Sequence, residues 1–257
     1  MKTAGSATHA DLFELYSAIQ GEGPYVGLRH LFLRFMGCNL ACRYCDTPAR
    51  HFLKVPARME HTAGQRDFKK FDNPLGLSDV QNSIRRLVEP QKIHHALSLT
   101  GGEPLLYAEF LKSLLPWVRA EFGVRTYLET GGVLDAALRE VIDFVDIISM
   151  DLKLASATGV PFPQQEHERF LKIALEKEVF VKVVFTQETT RAEIEQAAAL
   201  VAEVNPRILF VLQPVTPFGP VTESPSPEKT LEFQAIALRT LRDVRVIPQT
   251  HKLIGQL

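Results

Sequence analysis

No cysteine lies outside one eight-residue window: Cys38, Cys42 and Cys45 are the chain's three, with no distant partner for any of them. The odd number and the missing partners exclude a disulfide framework. No run of 18 or more apolar residues occurs, so no transmembrane helix is expected. The opening MKTAGSATHA lacks the apolar core of a signal peptide, and the expected location is the cytoplasm. Charge of one sign is also missing. The formal net charge is -1 with 23% charged residues, which gives no reason to expect a nucleic acid or an anionic membrane as partner. What is present is apolar bulk: 46% hydrophobic residues, with 16 Phe among 257. That is enough for one large α/β domain, expected to span 1–257.

Seven short apolar runs read as strands: 31–36, 93–99, 124–129, 145–151, 179–185, 208–214 and 244–249. Their β-branched content and near-continuous apolarity suit a parallel sheet covered by helices. Helical patterns lie between them, at 78–89, 107–121, 133–142, 164–177, 190–204 and 227–242, the last opening on Pro227 and Glu228. The alternation predicts an α/β fold, an incomplete or modified β/α barrel, with a doubly wound sheet as the alternative. Two stretches break the rhythm. Residues 50–77 mix charge, aromatics, Gly and Pro and read as an insertion of irregular structure, with room for one short element. The proline-rich segment 214–227 reads as a loop after a strand end, where such folds usually carry their sites.

The cysteines stand as C-x3-C-x2-C in FMGCNLACRYCDT. Thiolates ligate iron–sulfur clusters and zinc. A short loop can wrap three thiolates around three corners of a cubane, and a fourth thiolate is absent. One iron then takes a non-cysteine ligand, which points from electron carriage toward catalysis. Gly37 leaves room for close backbone approach, and Tyr44 can shield a cluster or lie beside an adenine. The rival is a structural zinc site, three cysteines plus His51 or another histidine, in a zinc-stabilised structural or binding protein.

The cysteine spacing, with an aromatic before the last thiol, resembles the radical S-adenosylmethionine superfamily. Thr100-Gly101-Gly102-Glu103-Pro104, just after a predicted strand, matches a second segment of that superfamily. The resemblance implies a [4Fe–4S] cluster on Cys38, Cys42 and Cys45, with S-adenosylmethionine on the fourth iron. The fold it implies is an incomplete β/α barrel of the radical S-adenosylmethionine type. It places Tyr44, Gly102 and Glu103 at the cofactor, with Glu103 either stabilising its loop or facing the methionyl amine.

The segment LYSAIQGEGPYVGLRHLFLRFMGCNLACRYCDT and the terminal QTHKLIG resemble the 7-carboxy-7-deazaguanine synthase family. The activity implied is ring contraction of 6-carboxy-5,6,7,8-tetrahydropterin to 7-carboxy-7-deazaguanine with loss of ammonia, in queuosine or deazapurine biosynthesis. The resemblance puts Ile19, Gln20, Gly21, Glu22, Arg34, Thr100, His251 and the terminal Leu257 at the substrate. It puts Thr47 on Mg²⁺. Arg34 stands out in the otherwise apolar LFLRF, and a guanidinium can grip a substrate carboxylate with two parallel donors. Among later strand ends, Ser149 and Gln213 are favoured as cofactor contacts. Glu129, Thr130, Asp151 and Lys153 are weaker candidates, and Lys153 has a local partner in Asp151. No side chain is assigned as acid or base. The family further implies a homodimer and a reduced flavodoxin or similar electron donor. The competing activity with the same two motifs is a glycyl-radical activating enzyme acting on a protein.

Overall fold

The computed structural model describes residues 6–47, 49, 51, 55–89 and 92–256. Seven strands run parallel: β3 (Arg29–Phe35), β7 (Ala96–Gly101), β8 (Arg125–Thr130), β9 (Ile147–Leu152), β10 (Glu178–Phe185), β11 (Phe210–Pro214) and β12 (Val244–Val246). They lie side by side in chain order, and the sheet continues beyond β3. There β2 (Leu12–Ile19) pairs antiparallel to β3, β4 (Ala57–Glu60) pairs parallel to β2, and β5 (Phe68–Phe71) pairs antiparallel to β4. The ten strands have two ends, β12 and β5, so the barrel is open. A small two-stranded ribbon joins β1 (His9–Ala10) to β6 (Leu75–Gly76).

Each expected helix forms: α1 (Leu77–Val88), α2 (Ala108–Phe122), α3 (Asp135–Val141), α5 (Gln164–Ala174), α6 (Arg191–Val204) and α7 (Pro227–Ala237). The short α4 (Ala155–Thr158) and α8 (Thr250–Leu253) are additions. Helices α1, α2, α3, α5, α6 and α7 pack against one another in that order and bury the apolar outer face of the sheet, with Leu99, Leu128, Ile148 and Val183 among its fully buried residues. α7 stops five residues before the expected 242, because the Arg242 N–H bonds the carbonyl of Pro206, outside any helical ladder. β12 ends early, since Pro248 has no N–H to extend it.

Two departures concern the N-terminal side. β2 is a full eight-residue strand that no expectation marked. Its buried Glu14 masks the apolar pattern, and that carboxylate is tolerated only because Arg34 and Arg58 both pair with it. The described part of the 50–77 insertion is more regular than expected: β4 and β5 form a hairpin that extends the sheet. Its strands, ARME and FKKF, are short and charged, so their pairing leaves little sequence signal. Arg58 stacks over Phe13 and Phe68 and holds the hairpin to β2.

The inner face of the open barrel is filled in layers. A lower layer is apolar: Ala96, Tyr127, Ile147, Phe180 and Val211. The chain from Gln20 to Tyr25 crosses inside the barrel and lies on this layer. Tyr25 packs at 5.5 Å from Tyr127, and a Cβ on Gly23 would meet the Phe180 ring at 2.6 Å. Above that floor the inner-face residues turn polar.

Candidate active site

A cavity of about 930 Å³ opens at the C-terminal ends of the parallel strands. Ligand sites of β/α barrels occupy that end because the strand-to-helix loops converge there. The inward side chains that rim it are Arg34, Thr100, Glu129, Asp151, Lys182 and Gln213, one from each of six adjacent strands. The loop after β3 brings Cys38, Cys42, Tyr44, Cys45 and Thr47 to the same cavity. From the floor come Ile19, Gln20, Gly21 and Glu22, and from the C-terminal segment Gln249 and His251.

The two glycine-bearing loops fit by backbone contact. Gly102 donates its N–H to the Phe35 carbonyl at 3.0 Å, and Glu103 donates to the Gly37 carbonyl at 2.8 Å. A Cβ on Gly102 would sit 1.8 Å from the Gly37 oxygen, so only glycine permits this approach. The Glu103 carboxylate accepts from Leu105 N at 3.0 Å, from Thr130 Oγ1 at 2.9 Å and from Gly131 N at 2.8 Å. Burial nevertheless pushes its carboxyl above the ordinary range. Of the two roles weighed for Glu103, these bonds are those of a loop clamp.

Several residues expected at the substrate meet through Glu129. Its carboxylate accepts from Gln20 Nε2 at 3.0 Å and from Thr100 Oγ1 at 2.6 Å. Glu22 accepts from Gln249 Nε2 at 2.8 Å and from Lys182 Nζ. Thr250 N–H donates to the Gly21 carbonyl at 2.9 Å, and a Cβ on Gly21 would lie 2.3 Å from His251 Nδ1. QGEG and QTHK, more than 220 residues apart in the chain, therefore form one docked unit. Arg34 donates through Nε to Glu14 at 2.9 Å and through Nη2 to the Tyr16 hydroxyl at 2.8 Å. Its Nη1 keeps no protein partner among the described residues. Burial disfavours its charge, but Tyr16 and Glu14 outweigh that and hold the guanidinium protonated.

Beside the cysteine loop, Lys153 Nζ donates to Asp151 at 2.6 Å and to the Tyr44 hydroxyl at 3.0 Å. Burial and the loss of hydration push the Tyr44 hydroxyl upward. Gln213 is buried, and its Oε1 lacks a hydrogen-bond partner among the described residues. An orphaned buried acceptor facing a cavity is a place for a ligand donor. Burial raises the Cys38 thiol to about 11 and the Cys45 thiol above its ordinary value, so metal uptake at this loop must release protons. Asp46, beside Thr47, is tied to Lys252 at 2.5 Å.

Ser149 is not among the lining residues. It sits one inward step below Asp151 on β9, because the period of two gives the rim to Asp151. Leu257 lies outside the described residues. Among those residues no three His, Cys, Asp or Glu side chains converge as a single metal ion would need. The sequence reading also missed Lys182, Gln249 and Glu14. Lys182 and Glu14 each carried a signal: a charged residue in an apolar strand.

A sequence profile described as the Radical SAM superfamily matches residues 33–186. The open barrel, the three-thiol loop and that match define the class: a radical S-adenosylmethionine superfamily protein. The chain is 46% identical over 253 residues to 7-carboxy-7-deazaguanine synthase of Geobacter sulfurreducens, covering 96% of this chain and 98% of that protein. It is 32% identical over 254 residues to the 7-carboxy-7-deazaguanine synthase of Methanocaldococcus jannaschii, covering 95% and 99%. The chain belongs to the 7-carboxy-7-deazaguanine synthase family. The crystal structure of QueE from Escherichia coli shares the fold with a TM-score of 0.60 at 19% identity, covering 95% of each chain. No helix among the described residues is long and apolar enough to cross a membrane.

Proposed function

We propose that this protein contracts the ring of 6-carboxy-5,6,7,8-tetrahydropterin to 7-carboxy-7-deazaguanine with loss of ammonia, as a radical S-adenosylmethionine lyase of queuosine or deazapurine biosynthesis. The observation that carries the reading is the meeting of QGEG, Arg34, the three-cysteine loop, the GGEP loop and QTHK around one cavity. Relatives named for that product, similar over nearly the full length, support it over a glycyl-radical activating enzyme or a zinc-stabilised binding protein.

The residues suit the groups the family requires. Cys38, Cys42 and Cys45 would hold a [4Fe–4S] cluster, whose thiolates stand farther apart than those around one ion. The cradle at Gly102 and the orphaned Gln213 Oε1 would receive S-adenosylmethionine, beside Tyr44 and Lys153. Thr47 would give Mg²⁺ one protein oxygen, with substrate and water completing a shell of hard ligands. When bound, cluster and cofactor together supply the hydrogen-abstracting adenosyl radical. The protein's own work is orientation and shielding. Arg34 would direct Nη1 at the substrate carboxylate, and Glu22 would accept from the guanidine-like N–H groups of the pterin. Gln20 and Thr100 are held by Glu129, and His251 closes the floor against Gly21. A homodimer and reduction by a flavodoxin or similar carrier in the cytoplasm complete the proposal.

The test is anaerobic turnover of the carboxylated pterin with reductant, S-adenosylmethionine and Mg²⁺, the product identified by mass. Formation of the deazapurine is the expected result. Radical formation on a partner protein without deazapurine would reject the reading. Sedimentation at several concentrations tests the dimer, and a persistent monomer rejects it.

A further inference from the structure

Lys182 belongs to no motif in the sequence. It interrupts the strand VFVKVVF, and its side chain is only 8% exposed. Removing an ammonium from water costs several kcal/mol unless charge partners restore it. Those partners are present. Nζ donates to Glu22 and lies 3.3 Å from Asp151 Oδ1, and the carboxylate of Glu129 adds to the same field. The Asp151 oxygen is off the line of a hydrogen bond and has no other partner among the described residues, so the directed bond goes to Glu22. Asp151 already has its own cation, Lys153, at 2.6 Å. Among the described residues Glu22 has only Lys182 as a bonded cation, together with the neutral amide of Gln249.

We propose that Lys182 is a positioning residue that holds the Glu22 carboxylate ionised and aimed across the cavity floor. The inference rests on the proposed function only for the ligand that Glu22 meets. Pterin N–H groups need an acceptor, and a protonated carboxyl would offer them a competing donor. Burial by itself raises a carboxyl, as it does for Glu103, whose partners are neutral hydrogen-bond donors. At Glu22 burial acts the same way, but the Lys182 charge, the bonds from Lys182 and Gln249 and a smaller contribution from the facing His251 outweigh it and lower the group to about 2. Glu103 also feels the Lys153 ammonium, so the two sites differ chiefly in that an ammonium is bonded directly to the Glu22 carboxylate. Through Asp151 and Lys153 the same ammonium also ties the floor to Tyr44, next to Cys45.

Isotope-edited infrared titration of glutamate-labelled, cluster-loaded protein reads Glu22 without turnover, with E22Q assigning its band. The parent and K182R are expected to keep Glu22 ionised throughout pH 5–8, and K182M to shift its midpoint upward by about 2–3 pH units. With the pterin, KM of K182M should rise by up to about tenfold as pH falls from 6 to 4, while the parent and K182R stay flat. A folded K182M whose Glu22 band and KM profile match the parent overturns the proposal. Should K182M fail to fold, the double variant E22Q/K182M decides. Recovery of a folded, cluster-loaded protein supports the pairing, and continued failure overturns it in favour of general structural support. If Glu22 titrates as expected but the parent does not convert the pterin, the substrate reading falls and the charge-holding role stands.

Discussion

Arg34 shows how one side chain can serve the fold and the site with different atoms. Nε and Nη2 bind Glu14 and Tyr16, while Arg34 lines the cavity and its Nη1 has no partner among the described residues. Arg34→Ala is expected to keep its iron and lose about 2–5 kcal/mol of transition-state stabilisation for the carboxylated pterin, read as kcat/KM. The two-donor grip expected from the sequence gives way to one free nitrogen, and Arg34→Lys should recover only part, because a single ammonium cannot hold Glu14 and Tyr16 and also reach the substrate. If Arg34→Ala handles the substrate like the parent, the carboxylate clamp is wrong. Cys38→Ala, Cys42→Ala or Cys45→Ala should abolish reductive cleavage of S-adenosylmethionine, and normal cleavage in any of them would remove that thiol from the ligand set. Gly102→Ala sets a methyl against the Gly37 backbone. Overpacking of that kind costs about 1–3 kcal/mol and here separates the two loops that frame the cofactor. Isothermal titration of S-adenosylmethionine should show weaker binding, and unchanged affinity would count against the cradle.

At the scale of elements, the site depends on parts of the chain that no local pattern joins. α8 has only four residues and no buried side chain, so it holds its place by docking on Gly21 and Glu22. Gly21→Ala pushes into His251 and should displace α8. The expected result is a raised KM for the pterin with little change in melting temperature, because α8 adds little to the core. Equal loss of both would mark α8 as part of the cooperative fold. α6 is a contrasting case, since its start is written locally. Thr190 accepts from Glu193 N at 3.3 Å, and Glu193 returns a bond to Thr190 N at 2.9 Å. Thr190→Ala should lower stability by about 1 kcal/mol in denaturant titration without altering turnover.

The whole molecule carries a pH dependence in its buried histidines. Burial lowers His30 to about 3, and lowers His94 and His167 to about 4. Each stays neutral in the fold but takes a proton near 6.5 when the chain unfolds. Their stabilisation is complete above 6.5 and is lost as pH falls from there toward the folded values. Each contributes a slope of at most about 1.4 kcal/mol per pH unit. Melting temperatures should therefore drop steeply between pH 6.5 and 4. His167→Gln, which retains an acceptor for Lys153 N, should flatten the drop, and an unchanged slope would remove His167 from this account.

Read without its fold, the sequence already contained the class of chemistry. Three thiols in one window, GGEP after a strand and the two terminal motifs are local patterns, and local patterns survive in one dimension. The seven parallel strands and their helices were legible for the same reason, since each buries a continuous apolar run or one apolar stripe. Tertiary structure decided what depends on partners brought from far away. Glu14 makes β2 possible only with Arg34 and Arg58 beside it. The hairpin of β4 and β5 exists because β2 offers it an edge. Ser149 and Asp151 are two residues apart on one strand, and only the depth of the barrel sends one below the cavity and the other to its rim. Lys182 acquires its meaning from Glu22, 160 residues away, because a buried ammonium is defined by the charges folded against it.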